Sequence, residues 1–399
     1  MKILDVSPRR TFPAAQGSSV RTYQLLRHLS RRHEVRQFSF SRRGWTLARE
    51  ESEVRVAPSY VEHRHRGRFG GLVAETSERA WLRAPVATAA ALAISRPRVL
   101  DAWLDWADVV LVEFPWLFSY CRARRPSAPL VLSAHNVEPD KFASYADSVR
   151  RPVARGAWLR LIARMEANAV AGADLVLAVS EADRDEMLRR YRLSPRKVAV
   201  IANGADTDAL RPAGEDERRE ARRTLGLPDR PTAIFAGADV PPNRAGLRWV
   251  ERLARRTDAW TFLVVGAVSR PRRSGSLRAT GVVEDFALHL RAADAALCPI
   301  AHGGGTKIKL LEGLSAGLPT VAFEHSIHGL DVRNEEHLLV VPESEDGLLA
   351  ALARIAGDAP LARRLGGNAA RFVAERHRWT DAAMRLDDRL AELVGALDD

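Results

Sequence analysis

Two cysteines in 399 residues, Cys121 and Cys298, are too few for a disulfide framework or a cysteine-rich zinc site. A reducing cytoplasm is therefore the default compartment. No apolar run is long enough to cross a bilayer, and the opening MKILDVSPRR is too short an apolar stretch for a signal peptide. Internal repeats and low-complexity tracts are absent. So is any basic stretch interleaved with aromatics, which removes nucleic acid from the expected partners. The triple-glycine loop at 303–305 lacks the Gly-Lys-Thr order of a P-loop.

What is present is the composition of an ordinary soluble globular protein, 46% apolar and 28% charged, with chain enough for two cores. The net charge of +11 is unevenly placed. Residues 1–205 carry 34 Lys and Arg against 21 Asp and Glu, a balance of +13, whereas the remainder carries 27 against 29. An arginine-rich solvated surface accounts for such an excess, and so does contact with an anionic membrane or an acidic partner.

Short apolar runs alternate with amphipathic stretches twice along the chain. KILDVS, EVRQFSF, DVVLVEF, PLVLSAH, DLVLAVS and KVAVIAN predict strands, and SSVRTYQLLRHLSRRH a helix with Val20, Tyr23, Leu26 and Leu29 at helical spacing. Residues 60–107 read as largely helical. A polar segment from Asn203, with Gly and Pro at both ends, reads as a linker and first helix of a second half. There TAIFAGA, TFLVVGA, LRATGVV, AALCPI, PTVAFE and LLVVPE predict strands. The doubled alternation predicts an α/β protein of two doubly wound Rossmann-like domains with a cleft between them. Their bounds are 1–205 and 206–379, and a last helix over 380–399 returns to the first domain.

The stretch IAHGGGTKIKLLEGLSAGLPTVAF, residues 300–323, reads as strand, glycine loop, helix, strand, with Thr306 as N-cap and Gly317 as the helix stop. A helix N-terminus at the carboxyl end of a parallel strand is an anion site, because free amides and the dipole both point there. Gly305, Lys309, Glu312 and Ala316 share one helix face, while Ile308, Leu310, Leu311 and Leu314 cover most of the rest as core. Glu312 on such a face can accept hydrogen bonds from ribose hydroxyls, and Lys309 can neutralise a diphosphate. The alternative for the two is a solvated ion pair. His135, ending a strand run, either caps the strand or meets a sugar hydroxyl. Asp206 and Asp208 suggest a metal motif in outline, but Asp in such a Gly-containing segment makes turns. Asp183 and Asp185 read as solvated helix residues and Cys298 as core.

GGGTKIKLLEGLSAGLPTVAF resembles the donor-binding signature of family 4 retaining glycosyltransferases, of GT-B fold. The subgroup resembled has a Gly-Gly-Gly-Thr-Lys donor loop. SPRRTFPAAQGSSVRTYQLL, LSAHNVEP, LVLAVSEADRDEM, VAVIANGADTD, IFAGADVPPNRAGLRWV and GVVEDFALHLRAADAALCPI follow in the family's order, so the likeness covers nearly the whole chain. It implies transfer of a sugar from a nucleotide diphosphate sugar to an acceptor with retention of configuration. By the same resemblance His135 is the active-site histidine, with Asn136 beside it. The implied donor contacts are Gly17, Val283, Gly304, Gly305, Thr306, Lys309 and Glu312, with Arg244, Lys307 and His328 as further contacts. Glu312 matches the family's ribose ligand; the family's first glutamate is Gly304 here, and the usual Arg and Lys before the second-half helix have no clear match in Ala238–Arg244.

The expected donor base is uracil or guanine, and no divalent metal or other cofactor is required. The acceptor is a glycan, a lipid-linked sugar or a small natural product, read by residues 40–105. The expected location is cytoplasmic, peripheral at the inner face of the plasma membrane through the basic first half. Competing readings are a degenerate protein that binds donor without turnover, a sugar-nucleotide hydrolase or epimerase, and a basic nucleic-acid binder.

Overall fold

The computed structural model describes residues 1–40, 50–66, 85–124, 128–147 and 155–398. By their contacts, residues 1–14, 18–202 and 380–399 form one compact unit, and residues 15–17 and 203–379 a second.

The first unit is built on β1 (Lys2–Ser7), β2 (Glu34–Phe40), β3 (Glu50–Ala57), β4 (Tyr60–Arg66), β5 (Val109–Glu113), β6 (Leu130–Ser133), β7 (Leu175–Ala178) and β8 (Val198–Val200). Their order in the sheet is β3-β4-β2-β1-β5-β6-β7-β8, parallel throughout except that β3 runs antiparallel to β4 at the edge. The central strands β5, β6 and β7 are buried at every residue, as strands covered on both faces must be. The chain leaves β1 toward β2 and later returns to β1's other side as β5. In doubly wound sheets that reversal leaves a crevice at the strands' carboxyl ends where ligands bind.

In the second unit the strands are β9 (Thr232–Ala236), β10 (Thr261–Val265), β11 (Arg272–Ser274), β12 (Leu277–Gly281), β13 (Ala295–Cys298), β14 (Thr320–Ala322) and β15 (Leu339–Val340). Their order, β11-β12-β10-β9-β13-β14-β15, puts the reversal at β9 and β13, with β11 antiparallel at one edge. The twelve strand runs read from the sequence all form strands within these two sheets, so the doubly wound expectation holds. Phe235, Phe262, Val264, Leu297, Leu311 and Leu314 belong to the second core, and Leu4, Val6, Phe38, Val112 and Leu132 to the first.

One expectation fails in part. Among the described residues of 60–107, β4 occupies Tyr60–Arg66 and helices form over Thr88–Ser95 and Arg98–Trp106. YVEHRHR alternates partly buried and buried positions, but its inward side chains are polar, so no apolar stripe announces the strand. Residues 67–84 of that stretch lie outside the described residues. The helix Gly17–Leu29 buries Leu25, Leu26 and Leu29 together with Ser19, Arg21 and Thr22, while Val20 and Tyr23 are only partly covered. Its inner face is therefore partly polar, which hydrophobic spacing cannot show. Among the described residues no helix is long and apolar enough to cross a membrane.

Candidate functional site

In the second unit the triple-glycine loop joins β13 to the helix Ile308–Ser315. Gly303 and Gly305 have φ of 116° and 61°, left-handed backbone that side chains rarely adopt. The helix starts later than expected: Lys307, not Thr306, is its N-cap, with no side-chain cap bond. The Thr306 hydroxyl is taken by Asn203, whose Nδ2 donates to it at 2.7 Å. By helix geometry the Ile308 and Lys309 amides have no acceptor within the helix, while the Leu310 amide donates to the Lys307 carbonyl at 2.9 Å. The stop is where the sequence places it. Gly317 has φ of 67°, and the Leu318 amide bonds the Gly313 carbonyl at 3.1 Å.

On this helix Lys309 and Glu312 are both partly buried. Burial lowers the Lys309 ammonium to about 8, the Cys298 and Glu312 charges opposing and the Lys307 charge adding to it. Burial raises the Glu312 carboxyl to about 7 against the attraction of Lys309. The Lys309 Nζ donates to Asn243 Oδ1 rather than to this carboxyl, and it lies 4.8 Å from the Phe235 ring centroid. Asn243 is itself buried and donates to the Ala238 carbonyl at 2.9 Å. A cation and a carboxyl thus stand on one face near the helix start, the ammonium lowered and the carboxyl raised by burial.

Other expected donor contacts are placed less directly. Lys307 Nζ donates to the carbonyls of Gly304 at 3.2 Å and Gly305 at 2.7 Å, so it braces the loop. His325 Nε2 donates to the Gly303 carbonyl at 2.8 Å, and His328 stacks on His325 at 6.4 Å. Arg244 is partly buried and paired with Asp239 at 2.8 Å. Val283 follows β12 and packs against the cluster holding Val265 and Leu290. Gly17, in the short segment that groups with this unit, would bring an added Cβ to 3.8 Å from Ile308. Asp206 receives the Ala209 amide at 3.2 Å in a turn.

In the first unit His135 lies just past β6, buried, with its ring stacked on Phe114 at 4.1 Å and 15°. Its Nε2 hydrogen-bonds Glu113 Oε2 at the carboxyl end of β5. A carboxylate only accepts, so Nε2 carries the proton. Burial pushes Glu113 upward, yet the charge and hydrogen bond of His135 and the charge of Arg21 together bring it below the usual range. Asp5, fully buried on β1, is driven well above its usual value by burial and by the Glu113 charge. Gln37 Nε2 donates to Asp5 at 2.7 Å, and Tyr60 Oη donates to Gln37 at 2.6 Å. Asn136 turns to Glu138 at 2.9 Å, inside a network with Lys141 and Glu166 that anchors the next helix.

The sequence reading missed Glu113, Asp5, Arg21, Asn243 and Phe235. A signal existed for the two acids: each is the lone carboxyl inside an otherwise apolar strand, at its carboxyl half. Asp183, read as solvated, is buried and accepts from the Ser180 hydroxyl at 2.6 Å, because it closes that helix's cap.

Residues 15–209 match Glycosyltransferase Family 4, and residues 230–358 match Glycosyl transferases group 1. A D-inositol 3-phosphate glycosyltransferase of Streptomyces bingchenggensis is 30% identical over 330 residues, covering 74% of this chain and 70% of that protein. Sucrose-phosphate synthase of Thermosynechococcus elongatus superposes with a TM-score of 0.76 at 18% identity, over 99% of this chain and 100% of the other. The Anabaena protein HepE in complex with UDP-glucose gives 0.68 at 14% identity, over 98% and 100%.

Proposed function

The chain belongs to glycosyltransferase family 4 and is a GT-B glycosyltransferase, and we propose that it moves a sugar, with retention of configuration, from a nucleotide diphosphate sugar to a hydroxyl acceptor. The observation that carries this reading is the partly buried Lys309 and Glu312 on one face of the helix that follows a left-handed glycine loop. In this reading the amides of Gly304, Gly305 and Thr306 and the Lys309 ammonium hold the diphosphate, and Glu312 holds the ribose. Val283 meets the base through its main chain. Gly17, Lys307, Arg244 and His328 line or brace the donor. His135, oriented by Glu113, meets the sugar at its reacting carbon.

Family members of this kind need no carboxylate nucleophile. The leaving diphosphate assists deprotonation of the acceptor on the same face, so the protein's part is to stabilise that charge and hold the reactants in line. Lys309 is suited to this part, because the attraction between its ammonium and the leaving oxygen grows as negative charge builds there. Gly304 stands where the family has its first glutamate, so this position offers the donor sugar no carboxylate, and in this reading its amide serves the diphosphate.

The bound UDP-glucose of HepE makes uridine nucleotides the first donors to test, and the Streptomyces relative's name puts D-inositol 3-phosphate in the acceptor panel. Calorimetry with UDP and GDP sugars, then proton NMR of the first product's anomeric configuration, tests the reading. Failure of every nucleotide to bind, or an inverted product, overturns it.

The diphosphate is held by amides and an ammonium in this reading, so transfer should proceed at full rate without added magnesium or manganese. Rates in buffers with and without each ion check this, and a strict requirement for either would remove that part of the mechanism.

The balance of +13 in residues 1–205 supports peripheral contact with the anionic inner face of a membrane. The chain should sediment with phosphatidylserine vesicles at low salt and be released as salt rises. Equal sedimentation with neutral vesicles would refute this contact.

A further inference from the structure

We propose that the outer edge of the first unit's sheet is a zinc site, with Glu51, His63 and His65 as its ligands. His63 and His65 are two residues apart on β4, so both project from one face of the sheet. Glu51 on β3 stands directly opposite His65 in the antiparallel register, which puts it on the same face. One donor atom from each of the three lies within 4.8 Å of the others. Donors around a tetrahedral zinc at about 2.1 Å sit about 3.4 Å from one another. Movements of well under about 1 Å per side chain would therefore complete the ligand set. Glu51 Oε1 and His65 Nδ1 are already 3.0 Å apart.

The imidazoles are held in place by what surrounds them. His63 stacks on Phe38 at 5.9 Å and meets the edge of Trp103 at 5.7 Å, and His65 stacks on Phe38 at 5.7 Å and on Phe40 at 6.2 Å. Such packing fixes ring orientation before an ion arrives. Two imidazoles and one carboxylate suit zinc and other late first-row ions, whereas calcium and magnesium prefer oxygen donors. Glu51 is a third exposed while His65 is buried, so the ion enters from Glu51's side and keeps a position for water. An ion pair alone would account for Glu51 and His65; it leaves unexplained the second imidazole within reach of both. Among the described residues this is the only cluster of three or more such groups.

None of the three has a part in the donor loop or in the Glu113–His135 pair. The zinc's effect is to cross-link β3, which among the described strands is bonded to β4 alone, to the body of the sheet. The test uses the full chain, stripped with a chelator and dialysed, then titrated with zinc chloride by calorimetry and followed by its melting temperature. One equivalent should bind, and the melting temperature should rise by several degrees. Glu51→Gln, at an exposed position, should leave the zinc-free melting temperature unchanged and weaken zinc binding about tenfold or more. His65→Ala should abolish binding, and the double variant His325→Ala, His328→Ala should bind zinc as the unaltered chain does. Absence of saturable binding, or equal affinity in the Glu51→Gln variant, would overturn the site and leave Glu51 and His65 as an ion pair.

Discussion

Replacing His135 with Ala is expected to lower turnover by roughly a hundredfold or more, on the order of 3 kcal/mol of transition-state stabilisation. Affinity for the free nucleotide diphosphate should stay nearly unchanged, because in the proposed assignment the ring meets the sugar and not the nucleotide. The ring also stacks on Phe114, so its loss leaves a gap in the first unit. Melting temperature must therefore be measured alongside the rate. A variant that melts a few degrees lower, binds nucleotide normally and hardly turns over supports the assignment. One that turns over at the unaltered rate removes it. Glu113→Gln gives a second reading of the same pair. It keeps shape but takes away the negative charge that fixes the imidazole's proton on Nε2. A fall in kcat with KM held, smaller than that of His135→Ala, is expected if Glu113 acts by positioning the ring.

Glu312→Ala should have the opposite balance. Losing a charged acceptor to the ribose should cost roughly 1.5–3 kcal/mol of nucleotide binding, which is about a ten- to hundredfold rise in Kd. The fold should persist, since the side chain is only partly buried. Unchanged affinity by calorimetry would make Glu312 a solvated helix residue. A pH dependence follows from the same carboxyl. Its value is raised to about 7, mainly by burial, so below that pH it is protonated and accepts less well. Nucleotide affinity should then fall as pH drops through about 7 in the unaltered chain and stay flat in Glu312→Gln. For stability the sign is reversed. A carboxyl whose folded value lies above its unfolded one favours folding at low pH, and that contribution is lost as pH rises through about 7. Glu312→Gln should accordingly melt higher than the unaltered chain at pH 8, and the difference should shrink toward pH 5.

The chain by itself determined most of the strands and most of the donor loop. DVVLVEF or TFLVVGA is apolar over four consecutive residues and bounded by polar or glycine positions, and such a run has few other places to go than a covered parallel strand. Gly303, Gly305 and Gly317 likewise announce left-handed backbone, because that conformation depends on the residue itself. These features are local, set by a residue and its near neighbours.

What only the tertiary structure decided is which polar groups meet. Glu113 and His135 are 22 residues apart and pair because β5 lies beside β6, with Glu113 in register with Ser133. Lys309 finds Asn243 across 66 residues because β13 lies beside β9. Thr306 loses its cap role to Asn203, 103 residues away, since a hydroxyl serves whichever partner the fold brings closer. The edge strands over 50–66 escaped notice for a related reason. Their inward residues include Glu62, His63 and His65, whose burial is made tolerable by partners on neighbouring strands rather than by apolar character of their own. Periodicity reports how much a side chain avoids water. It carries nothing about which distant carboxylate, imidazole or amide will satisfy a buried polar group, and that depends on the order of strands in the sheet.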